Sequence, residues 1–116
     1  WDRDGQLAAT YPYPLQTWQL GNHLTWVFLG GEVVVDYALR LKRELSPHTT
    51  WVAGYANDVM AYIPSRRVLL EGGYEGGGAM VYYGLPSAWT MEVEKQIVAH
   101  VRAQARMHGT DRASQP

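Results

Sequence analysis

An α/β fold is expected from the way the hydrophobic period changes along this chain. Two short β-rich runs flank a Gly-Asn turn, a stretch with helical periodicity follows, and another β-rich run comes after it. Strand, helix and strand within about 30 residues make a βαβ unit, here led by a hairpin. An amphipathic stretch near the end adds a C-terminal helix. The chain therefore reads as an incomplete piece of a mixed α/β sandwich-type domain, with one β-hairpin, one βαβ unit and a closing helix.

Each element has its own local cause. Tyr11-Pro12-Tyr13-Pro14 is extended, because each proline pushes the residue before it out of the helical region. Leu15 to Leu20 alternates, with Trp18 and Leu20 on one face; Gly21-Asn22 supplies the turn, and Leu24 to Leu29 returns as a strand of β-formers. Gly30-Gly31 breaks that strand. Val34, Tyr37, Ala38, Leu41 and Leu45 then recur at helical spacing opposite Arg40, Lys42, Arg43 and Glu44, which predicts a helix over 32–45. Ser46-Pro47 stops it, and Thr49 to Ala53 forms the next strand. The final helix is predicted from Thr90 to Met107 on the stripe Val93, Ile97, Val98, Val101 and Ala105, with Gly109 as its stop. A crossover of this kind places its two strands parallel, and ligands in such sheets bind beyond the strands' carboxyl ends. Gly30-Gly31-Glu32 and the segment from Gly54-Tyr55 onward both leave at that edge, so they are expected to face one site.

Composition excludes several classes. With 116 residues the chain is one domain at most, and a net charge of -1 with scattered Lys and Arg gives no footprint for nucleic acid. The absence of cysteine removes disulfides and thiolate metal sites. No apolar run approaches the ~20 residues of a spanning helix, so no transmembrane segment is expected. The opening Trp1-Asp2-Arg3-Asp4-Gly5-Gln6 resembles the interior of a longer protein; the folded piece is read as 1–109 and residues 110–116 as a disordered tail.

The richest stretch for chemistry runs from Gly54 to Pro64 and on through Glu71-Gly72-Gly73-Tyr74-Glu75-Gly76-Gly77-Gly78, which reads as an active-site loop. Its phenols, Tyr55, Tyr62 and Tyr74, can donate to an oxyanion or, once deprotonated, bind a metal; packing is the plain alternative. Glu32, placed at a helix start behind two glycines, can ligate a metal or orient a water, or can act as a helix-start acid worth ~0.3–1 kcal/mol. The glycines lack the Gly-Lys-Ser/Thr ending of a phosphate loop. His23, His48, His100 and His108 have no spacing that puts two on one face, and no serine sits in a Gly-x-Ser-x-Gly elbow.

Taken as an ordered set, Leu29-Gly30-Gly31-Glu32 before a helix ending Leu39-Arg40-Leu41, then Gly54-Tyr55-Ala56-Asn57-Asp58 with Tyr62, then Gly73-Tyr74-Glu75-Gly76-Gly77, resembles the neutral/alkaline non-lysosomal ceramidase family over roughly residues 11–106. The likeness is to the C-terminal part of the catalytic domain and to the environmental bacterial branch. It implies a zinc-dependent amidohydrolase cleaving the amide of N-acylsphingosine or a related N-acyl lipid. By motif position it implies Glu32 and Tyr62 as zinc ligands and Tyr74 as a catalytic tyrosine assisting the oxyanion. It also implies two further histidine ligands upstream, in the rest of the catalytic domain, since none of the histidines here matches them; this piece alone is expected to be inactive. A secreted or periplasmic location follows from the same likeness. Two other readings stand beside it: a hydrolase of a different amide or ester on the same scaffold, and a non-catalytic binding or structural segment in which 5 Trp and 8 Tyr serve as packing surface.

Overall fold

Alternation and a tight turn make the hairpin. Leu15–Leu20 (β1) and Leu24–Leu29 (β2) pair antiparallel with Trp18 opposite Trp26, and Gly21 turns the chain between them at φ +56°. The computed structural model describes residues 9–46 and 48–110. Trp1 to Gln6, Pro47 and residues 111–116 of the expected tail lie outside them. Val35–Glu44 (α1) crosses over to Thr50–Ala53 (β4), which pairs parallel with β2 to give a sheet ordered β1-β2-β4. The α/β class, the hairpin, the βαβ unit and the C-terminal helix are thus all present.

The period-2 alternation separates the two faces of this sheet. Val27 and Leu29 point inward, where Tyr37 and Leu41 of α1 and Ile97, Val98 and Val101 of the last helix, Val93–Thr110 (α4), complete the core. Each such side chain contributes roughly 1.5–3 kcal/mol by leaving water. The opposite face holds an aromatic ladder. Trp18 lies 4.9 Å from Phe28, Trp26 lies 4.7 Å from Phe28, and Trp26 meets Trp51 edge-on at 5.7 Å between ring centroids. Trp18 and Trp51 are each 54% exposed.

Three expectations are corrected. The helix predicted over 32–45 begins only at Val35, because Glu32–Val33 (β3) is extended and pairs parallel with Tyr62–Ile63 (β5) as a separate two-stranded sheet. Glu32 is therefore a strand residue and not a helix-start acid; the helix begins behind Val34, whose φ of -69° and ψ of 155° are extended. The long loop with its glycine run is more ordered than expected. After β5 it forms Arg66–Glu71 (α2), Gly73–Gly76 (α3) and a 3-10 helix at Gly78–Tyr83. Finally, Gly109 does not stop the last helix, which continues to Thr110. Among the described residues no helix is long and apolar enough to cross a membrane.

The short helices are anchored by charge. Ser65 caps α2, accepting from the Val68 N–H at 3.2 Å, and its hydroxyl donates to Asp36 in the first turn of α1. Arg67 grips both oxygens of that carboxylate at 3.0 Å through Nε and Nη2 and reaches Glu71 with Nη1. Behind them Glu94 of α4 accepts from Arg40 and from the Arg66 main chain, each at 2.8 Å.

Candidate functional site

Strands β2 and β4 run parallel, so their carboxyl ends share one edge, and the chain leaving each end meets the other. Gly31 N–H donates to the Asp58 carbonyl at 2.7 Å, Tyr55 N–H to the Gly31 carbonyl at 2.8 Å, and Ala56 N–H to the Leu29 carbonyl at 3.0 Å. Gly31 makes this crossing possible. Its φ is +68°, and a Cβ there would lie 2.6 Å from Ile63 Cγ1 and 2.7 Å from the Ala61 carbonyl oxygen, so only glycine fits. The turn it makes delivers Glu32 into β3.

In the β3–β5 ladder Glu32 is the register partner of Tyr62. Partners in a parallel ladder project from the same face, so carboxylate and phenol reach one space. The Tyr62 and Tyr55 phenols both feel the Glu32 carboxylate beside them. Both phenols are pushed up to about 12, the interaction with the Glu32 carboxylate being the largest cause and partial desolvation the next. Glu32 and Tyr62 line an open cleft of about 420 Å³ whose rim includes Arg67, Glu71 and Glu75.

Tyr74, on α3, stands beside them. Its ring meets that of Tyr62 edge-on at 5.4 Å, Tyr83 meets Tyr62 at 6.3 Å, and Tyr82 lies 6.3 Å from Tyr74. The structure thus brings Glu32, Tyr62 and Tyr74 together at the carboxyl edge of the sheet, with Tyr55 a fourth member. His23 and His48 are exposed and His100 turns its Nδ1 to the Gln96 carbonyl of its own helix; none of them enters the group.

Two further residues support the site without a strong mark in the sequence. Trp89 donates its indole N–H to the Tyr62 carbonyl at 2.8 Å, and Tyr11 donates to Asp58 at 2.6 Å while its ring meets Trp89 edge-on. The Tyr11-Pro12-Tyr13-Pro14 run was expected only to be extended; it also clamps the loop, with the Tyr13 phenol donating to the Gly30 carbonyl at 2.7 Å.

The donor set can be tested against a metal. One carboxylate and one phenol, adjacent in a ladder and open to one cleft, are oxygen donors suited to two positions of a tetrahedral zinc shell. They fit as half a shell. Among the described residues no group of three or more His, Cys, Asp or Glu is arranged to complete it. Comparison of the chain with protein-family models, curated proteins and solved structures finds no match.

Proposed function

We propose that this chain supplies half of the zinc site of an amidohydrolase similar to the neutral ceramidases, acting on N-acylsphingosine or a related N-acyl lipid. The observation that carries the reading is the register partnership of Glu32 and Tyr62, which turns a carboxylate and a phenol into one cleft. Glu32 and Tyr62 would hold the ion from this side, two histidines from an upstream segment of the catalytic domain would hold it from the other, and this chain alone is inactive. When bound, zinc polarises an amide carbonyl and lowers the pKa of a coordinated water to about 7.

This chain's own residues do the rest. Glu32 would bring its carboxylate to the ion from the strand that Tyr62 pairs with. Tyr62, its register partner, would hold the ion through its phenol oxygen. Tyr74, half exposed beside Tyr62, presents a phenol O–H to the oxygen of the bound amide, where a donor placed for a developing oxyanion accelerates acyl transfer.

The test uses the longest natural reading frame that contains this chain. Glu32→Gln and Tyr62→Phe are expected to lower zinc content and amidase rate together, each by at least the ~10–100-fold that loss of an outer-shell partner costs. Unchanged zinc by elemental analysis in both variants overturns the reading. A panel of amides and esters then separates ceramide cleavage from hydrolysis of another substrate on the same scaffold. The aromatic ladder on the sheet favours a second reading, a non-catalytic binding or structural segment; it is preferred if the parent protein holds no zinc.

A further inference from the structure

Between the acids Glu75 and Glu92 the chain carries no charge from Gly76 to Met91, although 18% of its residues are charged. Within this stretch lies the 3-10 helix of Gly78–Tyr83. Ala79 and Met80 are buried and root it in the molecule, and the next two residues turn outward. Val81 is 73% exposed and Tyr82 77%, more than any other large apolar side chain among the described residues. The tip is a closed turn: Leu85 N–H donates to the Met80 carbonyl at 3.2 Å and Gly84 N–H to the Val81 carbonyl at 3.4 Å. Pro86, Ser87 and Ala88 are exposed as well and extend the uncharged surface past Gly84. Towards the site, the Tyr82 ring lies 6.3 Å from that of Tyr74, and Tyr74 lies 5.4 Å from Tyr62, which lines the cleft.

We propose that the Val81-Tyr82 tip is an interfacial anchor, dipping into the headgroup layer of a lipid surface and bringing the cleft to substrate held in that surface. The proposal rests on the reading of the substrate as an N-acyl lipid and states how the cleft meets it. Single exposed apolar side chains are ordinary, but a contiguous uncharged run of them beside a ligand cleft marks an interaction surface. Two protruding side chains are few against the roughly 20–30 residues a side that a stable protein partner covers. A fluid lipid surface has no shape to match and takes side chains singly. An aliphatic residue beside a tyrosine suits that layer, where the ring lies among the headgroups and its hydroxyl stays wet. The kind of surface follows from the charge. With no Lys or Arg along the stretch, nothing draws the tip to anionic lipid, so the attraction is apolar and a zwitterionic surface suffices.

The experiment is co-sedimentation with phosphatidylcholine vesicles, using the longest natural reading frame that contains this chain. The parent is expected to partition onto them equally at low and high salt, with no gain from added phosphatidylserine. Tyr82→Ser and Val81→Ser are each expected to weaken partitioning ~10-fold, the order that follows from keeping one large apolar side chain out of an apolar medium. Both variants are expected to melt as the parent does, since both side chains stand in water. Val81→Ser is also expected to lose amidase rate on an N-acyl lipid presented in the vesicles and to keep it on a short-chain, water-soluble amide. A parent that stays off the vesicles overturns the anchor, as do variants that bind as the parent does or binding that needs phosphatidylserine. So does a lower melting temperature in either variant, which means that another part of the protein covers the tip, or a smaller oligomer by sedimentation velocity, which gives the tip to a second copy. If the parent holds no zinc while the variants lose the vesicles, the hydrolase reading falls and the anchor stands.

Discussion

The indole N–H of Trp89 donates to the main-chain carbonyl of Tyr62 at 2.8 Å, bracing from outside the ladder the strand that presents the phenol. A two-residue strand has little cooperativity of its own, so this single bond fixes much of where Tyr62 stands. Trp89→Phe keeps the ring packing against Tyr11 and removes the donor. It is expected to destabilise the protein by about 1–2 kcal/mol in denaturant titrations. Trp18→Phe, on the exposed sheet face, is expected to change stability by less than about 0.5 kcal/mol.

Glycines of the site differ in what an added methyl would meet. At Gly31 a Cβ collides with Ile63 and with the Ala61 carbonyl, whereas at Gly72, also at positive φ, nothing lies within 4 Å. Gly72→Ala is therefore expected to cost about 1–3 kcal/mol of backbone strain alone. Gly31→Ala adds overlap against main chain and costs about 3 kcal/mol or more in thermal unfolding, separating β3 from β5.

Asp36 sets an acid limit on the contact between α1 and α2. Bidentate bonding by Arg67, helped by the Ser65 hydroxyl, holds its carboxyl below the usual carboxylate range. A folded pKa lower than the unfolded one gives stability that is complete above about pH 4 and is lost as pH falls through the folded value. The difference between the parent and Asp36→Asn is thus expected to be constant near neutrality and to shrink below pH 4. Arg67 is largely exposed, so at pH 7 it should not exceed about 1 kcal/mol, read from urea unfolding at each pH.

Hairpin, crossover and final helix were legible because each repeats a local period over at least one full strand or helix. The sheet edge where Glu32 and the Tyr55 loop meet followed from the parallel pairing that the crossover imposes on its two strands. What escaped was short or non-local. A pair of two-residue strands separated by the whole of α1 and β4 carries no periodicity, so Val33 and Val34 read as the start of a helix. Positive φ is ordinarily signalled by glycine, and Tyr55 adopts it without that signal where its own N–H and that of Ala56 donate to the Gly31 and Leu29 carbonyls. Trp89 had no motif to mark it, since its partner is a main-chain carbonyl, and any donor of the right reach would serve there.

The ladder of Trp18, Phe28, Trp26 and Trp51 also gives the protein an intrinsic optical gauge. Indoles packed edge-on within 6 Å couple their excited states, and the two outermost rings emit from a wet environment. Whatever comes to rest on that side of the sheet will dry those rings, and the emission will shift to the blue without any label being attached.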